Sequence, residues 1–146
     1  MKILVINGPN LNLLGRRDPA KYGRTTLNQI NRQLKKIAEK KNIELEFYFS
    51  NHEGQLIDFL QMNSRQAVGI LINPGALTHY GYSLRDALED CQLPIAEVHL
   101  TDIDKREPFR KINVLKSISI IKIQGQKENS YYRALNLLIK LLLIKS

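Results

Sequence analysis

The clearest chemical pair in this sequence is a glutamate and a histidine two positions apart, Glu97 and His99, in the stretch EVHLTD. Alternate residues of a β-strand share one face of a sheet, so the carboxylate and the imidazole would be neighbours. Such a carboxylate can fix the tautomer of the imidazole and favour its protonated form. A surface glutamate and a hydrogen-bonded core histidine are the alternative, but the apolar surroundings favour a general acid.

A second group combines Tyr22 with Arg16 and Arg17 in a polar loop, which also contains Asn10 and follows an apolar run near the N-terminus. A phenol is a poor base near neutral pH, but a nearby guanidinium favours the phenolate electrostatically. Tyrosines in loops are usually exposed or packed. These residues alone therefore favour a structural role for Tyr22.

A third polar group follows another apolar run, at Asn73-Pro74-Gly75. It is either a plain strand-ending turn, or a turn in which Gly75 lets a ligand carboxylate approach backbone N–H groups, and the two interpretations are equally supported. His79 could bind substrate hydroxyls. Arg106 and Arg110 are either solvated charges or the cations that an anion site needs.

Five βα units would position these groups. Apolar runs predict five strands, at 3–6, 43–49, 67–72, 94–100 and 118–123. Helical spacing predicts four main helices, two of them opened by capping boxes at Thr26-x-x-Gln29 and Ser50-x-x-Glu53, a third from about Tyr82 to Cys91 and the last through Tyr131.

This alternation predicts an α/β fold, a flavodoxin-like doubly wound five-stranded parallel sheet with strand order 2-1-3-4-5, in a single domain of residues 1–146. Ligands of such sheets bind beyond the carboxyl ends of the strands. Every polar group named above follows a strand, so we expect all of them at one edge.

Composition and charge argue against several classes of function. The net charge is +8, but the lysines are spread over many segments without interleaved aromatics, which favours a solvated basic surface over nucleic-acid binding and is compatible with an anionic substrate. The single cysteine, Cys91, excludes an internal disulfide and falls in an apolar pattern that predicts core packing. With no signal peptide and no apolar run of ~20 residues, a cytoplasmic protein without membrane contact is expected.

Motifs for other chemistries are missing. The sequence has no G-x-G-x-x-G or G-x-x-x-x-G-K-[ST] stretch, no G-x-S-x-G and no metal-ligand spacing among its three histidines and one cysteine. We therefore expect neither a cofactor nor a metal.

Six stretches, in this order and spacing, closely resemble type II 3-dehydroquinate dehydratase: INGPNLNLLGRRDPAKYGRTTL, SNHEGQLID, INPGALTH, SLRDAL, EVHLTD and REPFR. The resemblance runs from Met1 to about Arg110 and continues more loosely to the last helix. It implies dehydration of 3-dehydroquinate to 3-dehydroshikimate by anti elimination through an enolate, without metal, nucleotide or Schiff base.

The resemblance also implies roles for individual residues. Tyr22 would be the base, and His99, held by Glu97, would be the acid. Arg17, on a loop that closes over the substrate, would stabilise the phenolate and the transition state. Asn10 would help to hold the enolate through a water. The substrate-binding residues would be Asn73, His79 and Arg110 for the hydroxyls, and Leu100 and Thr101 for the carboxylate.

Assembly and pathway are implied in the same way. Asp86, in SLRDAL, would reach a neighbouring subunit's site in a homododecamer built from trimers. The reaction would serve the shikimate pathway, although quinate breakdown uses the same step. Three departures from the family pattern leave subunit packing and rate open: Tyr80-Gly81-Tyr82, Asp102 and Lys111-Ile112-Asn113.

Two other functions remain as alternatives. A non-catalytic flavodoxin-like module that binds a small anion or a partner would explain the arginines but not the Glu97 and His99 pair. Nucleic-acid binding would rest on the net charge alone.

Overall fold

A central five-stranded sheet organises the chain, of which the computed structural model describes residues 1–146. All neighbouring strands are parallel and their order is β2-β1-β3-β4-β5, which confirms the predicted fold. The strands are β1 (Lys2–Asn7), β2 (Glu44–Phe49), β3 (Gly69–Asn73), β4 (Ile95–His99) and β5 (Ile121–Gln124).

Five helices connect or flank these strands: α1 (Pro19–Tyr22), α2 (Leu27–Glu39), α3 (Glu53–Asn63), α4 (Tyr82–Asp90) and α5 (Asn129–Lys145). Short 3-10 turns lie at Leu11–Leu13, Ser64–Gln66, Gly75–His79, Ile103–Lys105 and Pro108–Lys111. The sequence did not predict α1 or most of these turns. None of the helices has the length and apolar character that crossing a bilayer requires.

Two apolar layers hold the helices to the sheet, because alternate strand residues face opposite sides. Ile3 and Val5 of β1 face the layer that contains α2 and α5, whereas Leu4 and Ile6 face the layer that contains α3 and α4. All four are fully buried, and each such side chain contributes about 1.5–3 kcal/mol. Cys91 packs against the α3 and α4 layer but stays half-buried.

The two predicted capping boxes had different outcomes. Thr26 caps α2 reciprocally with Gln29, since Thr26 Oγ1 accepts from the Gln29 N–H at 3.2 Å and the Thr26 N–H donates to Gln29 Oε1 at 2.9 Å. The box at Ser50 is wrong, because α3 begins after His52 and Glu53 turns away to accept a hydrogen bond from the Leu84 N–H of α4. The carboxylate thus joins two helices instead of closing one.

The last strand begins later than predicted, at Ile121 rather than Ile118. The N–H groups of Ile118 and Ser119 both donate to the Leu115 carbonyl, so this apolar stretch first forms a turn. Only at Ile120 does the backbone join the sheet, by donating to the Ile95 carbonyl. The turn places the Ser119 side chain beneath β4.

The loops that follow β1 and β3 touch through their backbones. The Gly8 N–H donates to the Asn73 carbonyl at 2.8 Å, and a Cβ on Gly8 would lie 2.5 Å from the Pro74 oxygen. Gly75 has a φ of +60°, and a Cβ there would lie 2.9 Å from the Pro9 oxygen. Only glycines permit this approach, which brings two of the predicted polar groups together.

Candidate active site

A cavity of about 110 Å³ opens at the carboxyl edge of the sheet. Nine residues predicted for the site line it: Asn10, Arg17, Tyr22, Asn73, His79, His99, Leu100, Thr101 and Arg110. A larger and more open groove of about 980 Å³ runs along α2 and the edge strand β2. The groove contains Arg16 but none of the nine, so the smaller cavity is where the ionisable groups converge.

Glu97 and His99 are in direct contact on β4. Glu97 is 0% exposed and His99 5% exposed, and Glu97 Oε2 lies 2.5 Å from His99 Nε2. Glu97 does not itself line the cavity and sits behind the imidazole. Because Nε2 is engaged by the carboxylate, Nδ1 is the ring nitrogen left for the cavity.

Three further side chains donate hydrogen bonds to Glu97. Thr78 Oγ1 and Asn113 Nδ2 reach Oε2 at 2.8 and 2.9 Å, and Ser119 Oγ reaches Oε1 at 3.1 Å. Burial acts to raise the pKa of Glu97, but the hydrogen bonds from His99, Thr78 and Ser119 outweigh it and hold the pKa below its ordinary value. Glu97 is therefore an ionised carboxylate.

The Glu97 donors were not identified from the sequence. Thr78 lies within the stretch INPGALTH, but nothing in that stretch marks its hydroxyl as a partner for β4. Asn113 and Ser119 belong to no motif and reach Glu97 only through the fold, across 16 and 22 residues.

Tyr22 ends the short helix α1 and is 9% exposed. Arg17 Nη2 donates to the Tyr22 hydroxyl at 2.9 Å, and the Arg17 guanidinium carbon lies 3.8 Å from the ring centroid. The Arg106 guanidinium carbon lies 5.5 Å from the same centroid, and Arg106 also lines the cavity. Positive charge therefore surrounds the phenol, whereas Arg16 is exposed in the outer groove and takes no part.

Asn73 is fixed at both ends of its carboxamide. Its Oδ1 accepts from the Gly75 N–H at 3.1 Å, and its Nδ2 donates to the Tyr131 hydroxyl at 2.9 Å. The Gly75 N–H is therefore already engaged, which favours the turn interpretation over a carboxylate site at that N–H. One Nδ2 hydrogen of Asn73 remains for the cavity.

Tyr131 of α5 is a residue that sequence reasoning missed. It is fully buried, and its hydroxyl also donates to Asn7 Oδ1 at 2.6 Å. Burial raises the pKa of Tyr131 well above its ordinary value, so the hydroxyl stays neutral and can donate and accept at once. It ties the ends of β1 and β3 together beneath Asn73.

His79 presents one nitrogen to the cavity. Its Nδ1 lies 2.7 Å from the Ile112 carbonyl and must donate to it, which leaves Nε2 free. Burial lowers the pKa of His79, helped by the positive charges of Arg110 and His99, so the ring is neutral near pH 7. Arg110 is oriented by Glu107, whose Oε2 accepts from Arg110 Nε.

The segment after β4 supplies the last lining residues, Leu100 and Thr101. Arg106 Nη1 donates to Thr101 Oγ1 at 3.3 Å, which places a cation beside that hydroxyl. Asp102 instead stabilises the following turn, because its Oδ1 accepts from the Asp104 N–H and from Gln124 Nε2.

Comparison with known proteins places this architecture. The family described as Dehydroquinase class II matches residues 1–139 of the chain. The chain belongs to the class II dehydroquinase family.

Relatives and solved structures of this family resemble the chain over nearly its whole length. A 3-dehydroquinate dehydratase of Roseiflexus castenholzii is 51% identical over 139 residues, covering 95% of this chain and 88% of the relative. One of Halothermothrix orenii is 45% identical over 141 residues, covering 97% and 95%. The crystal structure of type II dehydroquinase from Butyrivibrio crossotus has a TM-score of 0.91 at 43% identity, covering 95% of this chain and 97% of that one.

These matches confirm the family resemblance and the prediction of an enzyme of the hydro-lyase class. Within this class II dehydroquinase, one predicted site residue lies apart from the others. Asp86 is exposed on α4, 3.7 Å from Arg85, and does not line the cavity of its own chain. No group of three or more histidine, cysteine, aspartate or glutamate side chains is arranged to hold a metal ion.

Proposed function

We propose that this class II dehydroquinase converts 3-dehydroquinate to 3-dehydroshikimate and water. One observation carries the proposal: the Tyr22 phenol, held by Arg17, and the His99 imidazole, held by Glu97, line the same cavity. Elimination next to a ketone needs a base for the α-proton and an acid for the departing hydroxyl, and this pair supplies one of each.

Tyr22 acts as the base in its phenolate form. The Arg17 guanidinium at its hydroxyl and the Arg106 guanidinium near its ring both stabilise a negative oxygen. The phenolate takes the proton from the carbon next to the ketone, and the electrons of that C–H bond form an enolate. Asn10 stabilises the enolate oxygen through a bridging water.

His99 acts as the acid. Its protonated ring gives the Nδ1 proton to the leaving hydroxyl as the C–O bond breaks, so that water leaves and the carbon–carbon double bond forms. The ionised Glu97 stabilises the imidazolium and holds it in position. Tyr22 ends protonated and His99 neutral, and proton exchange with solvent restores both.

Substrate is held by the remaining lining residues. Neutral His79 offers Nε2 to a hydroxyl, Asn73 offers its remaining N–H, and Arg110 adds a further donor. The backbone after β4, at Leu100 and Thr101, receives the substrate carboxylate, with Arg106 beside the Thr101 hydroxyl as its counter-charge.

The assembly is proposed as a homododecamer built from trimers, in which Asp86 completes the site of a neighbouring subunit. Asp86 has a side chain 74% exposed, and Tyr82, one turn earlier on α4, is 65% exposed. This face of α4 is thus uncovered within the chain. The reaction is placed in the shikimate pathway, which leads to chorismate and the aromatic amino acids.

The test is turnover of 3-dehydroquinate, followed by the ultraviolet absorbance of the conjugated product. Wild-type protein should give product, and Tyr22→Phe should lose about 10²–10⁴ in kcat because the base is removed. Tyr48→Phe, which alters a ring stacked on Phe59 away from the cavity, is the matched control and should keep full activity. Full turnover by Tyr22→Phe would refute the proposed base. Binding of the substrate without any turnover would instead identify a non-catalytic anion-binding module.

A further inference from the structure

The segment Ile112–Leu115 runs behind both histidines of the cavity. The Ile112 carbonyl accepts from His79 Nδ1, and the Val114 N–H donates to the Thr78 carbonyl at 2.8 Å. Between these two contacts, Asn113 Nδ2 donates to Glu97. One short stretch of chain therefore braces the turn that holds His79 and the carboxylate that holds His99.

The carboxamide of Asn113 has only one workable orientation. Its Oδ1 accepts from the Leu115 N–H at 2.8 Å, which an amide nitrogen could not do. The nitrogen must then face Glu97, where it lies 2.9 Å from Oε2 and 3.2 Å from Oε1. Asn113 thus contacts both oxygens of the carboxylate and does not line the cavity.

We propose that Asn113 is a positioning residue, which keeps the Glu97 carboxylate ionised and aligned with His99 and so sets how readily His99 holds its proton. The inference rests on the proposed role of His99 as the acid. It concerns the segment in which this chain departs from its family pattern, where no catalytic role was expected from the sequence.

The physical reason is the sharing of one negative charge. Glu97 Oε2 accepts from His99, Thr78 and Asn113, and every neutral donor that binds the carboxylate reduces the charge available to the imidazolium. Loss of the Asn113 donor leaves more negative charge facing His99. The imidazolium is then favoured, and His99 releases its proton less readily.

Other charged groups around the pair are fixed by the fold. His79 and Arg110 line the same cavity, as do Tyr22, Arg17 and Arg106. Lys122 of β5 is the sheet neighbour of Glu97, but no ion pair joins the two side chains. None of these groups donates to Glu97, so the substitution of Asn113 changes the carboxylate without removing a charge from its surroundings.

The experiment compares Asn113→Ala with Ser119→Ala and with a control, Asn63→Ala, which removes an amide bonded only to the Phe59 carbonyl on α3. We expect kcat to fall about tenfold in Asn113→Ala, with KM within about twofold, because a hydrogen bond to a charged group is lost outside the cavity. Ser119→Ala, which removes one donor to Oε1 and none to Oε2, should show the same effect to a smaller extent. Asn63→Ala should keep wild-type kinetics.

A second readout separates this inference from the proposed function. The midpoint of the His99 imidazole titration, followed by NMR without substrate and assigned with His99→Ala, should move to higher pH in Asn113→Ala and less far in Ser119→Ala. An unchanged midpoint in both variants overturns the inference, even if the enzyme turns over substrate. Absence of turnover by wild type overturns the proposed function instead. If Asn113→Ala does not fold, Ser119→Ala decides alone, and a shifted midpoint there supports the donor network.

Discussion

Replacement of Glu97 by glutamine tests the proposed role of His99 as the acid most sharply. The side chain keeps its shape, so the question is where the amide nitrogen goes. Three donors, from His99, Thr78 and Asn113, converge on Oε2, whereas Ser119 at Oε1 has a hydroxyl that can rotate and accept. The glutamine oxygen therefore takes the Oε2 position and we expect the variant to fold. The 3.2 Å contact of Asn113 with the Oε1 position is lost, but the main change is the removal of the negative charge.

The magnitude follows from that charge. A hydrogen bond to an ionised group stabilises by about 1.5–3 kcal/mol against about 0.5–1.5 for a neutral one, and the Coulomb attraction of a close pair at intermediate dielectric reaches about 4 kcal/mol. Without the negative charge, fewer enzyme molecules carry the proton that His99 must donate, and loss of about 2–4 kcal/mol from the stabilisation of the imidazolium corresponds to a fall in kcat of roughly 30- to 1000-fold. This differs from Asn113→Ala, in which the imidazolium persists but gives up its proton less readily. KM should change little, because Glu97 does not line the cavity.

The assay is initial-rate kinetics by product absorbance on Glu97→Gln, with Glu39→Gln as the control. Glu39 is exposed at the end of α2, and its loss should leave both kcat and stability within experimental error. A Glu97→Gln enzyme with kcat within threefold of wild type, and with native circular dichroism, would show that His99 does not need the carboxylate.

Three further predictions concern stability. Because folding lowers the pKa of Glu97, its stabilising contribution is fully present above the pKa of an unfolded carboxyl, about 4, and is lost as the pH falls through the folded-state value. The urea midpoints of wild type and Glu97→Gln should therefore stay apart at pH 7 and converge only as the pH falls below about 4. Tyr131→Phe leaves Asn7 Oδ1 and Asn73 Nδ2 without their shared partner. The free energy of unfolding should therefore fall by about 1–3 kcal/mol in urea titrations, and KM should rise. Unchanged values for both would contradict the role given to the hydroxyl. Gly8→Ala places a Cβ 2.5 Å from the Pro74 oxygen, and a loss of about 1–3 kcal/mol is expected, whereas Gly54→Ala, with nothing within 4 Å, should be neutral or stabilising.

The fold was predictable because its signals are local. The apolar runs of β1 and β3 are bounded by Asn7-Gly8-Pro9 and Asn73-Pro74-Gly75, and Thr26 and Gln29 lie at capping-box spacing. Failures occurred where a side chain found a distant partner or where a local backbone turn formed in place of a strand. Glu53 has the right spacing for a cap but bonds to α4, and Ile118 has the composition of a strand but closes a turn.

The residues of the candidate site likewise fall into those that the sequence predicted and those that it did not. The common location of Asn73, His99 and the loop that contains Tyr22 was predicted because a parallel sheet brings all its carboxyl ends to one edge. The role of Tyr22 as the base was implied only by the family resemblance. The residues that hold them, Asn113 and Tyr131, were not, because their hydrogen bonds join segments whose relation exists only in the folded chain. No periodicity marks a single asparagine in a turn as the partner of a carboxylate on another strand.

The position of Tyr131 in α5 also bears on the order in which the enzyme is made. Its hydroxyl forms hydrogen bonds with Asn7 and Asn73, which leave the ribosome 124 and 58 residues earlier. Both side-chain amides therefore lack this hydrogen-bond partner until the final helix emerges. Translation proceeds at about 5–20 residues per second, so Asn7 emerges roughly 6–25 s before Tyr131. In nascent chains that stall before α5, Asn7 and Asn73 lack their shared hydrogen-bond partner, so we expect such chains not to bind substrate.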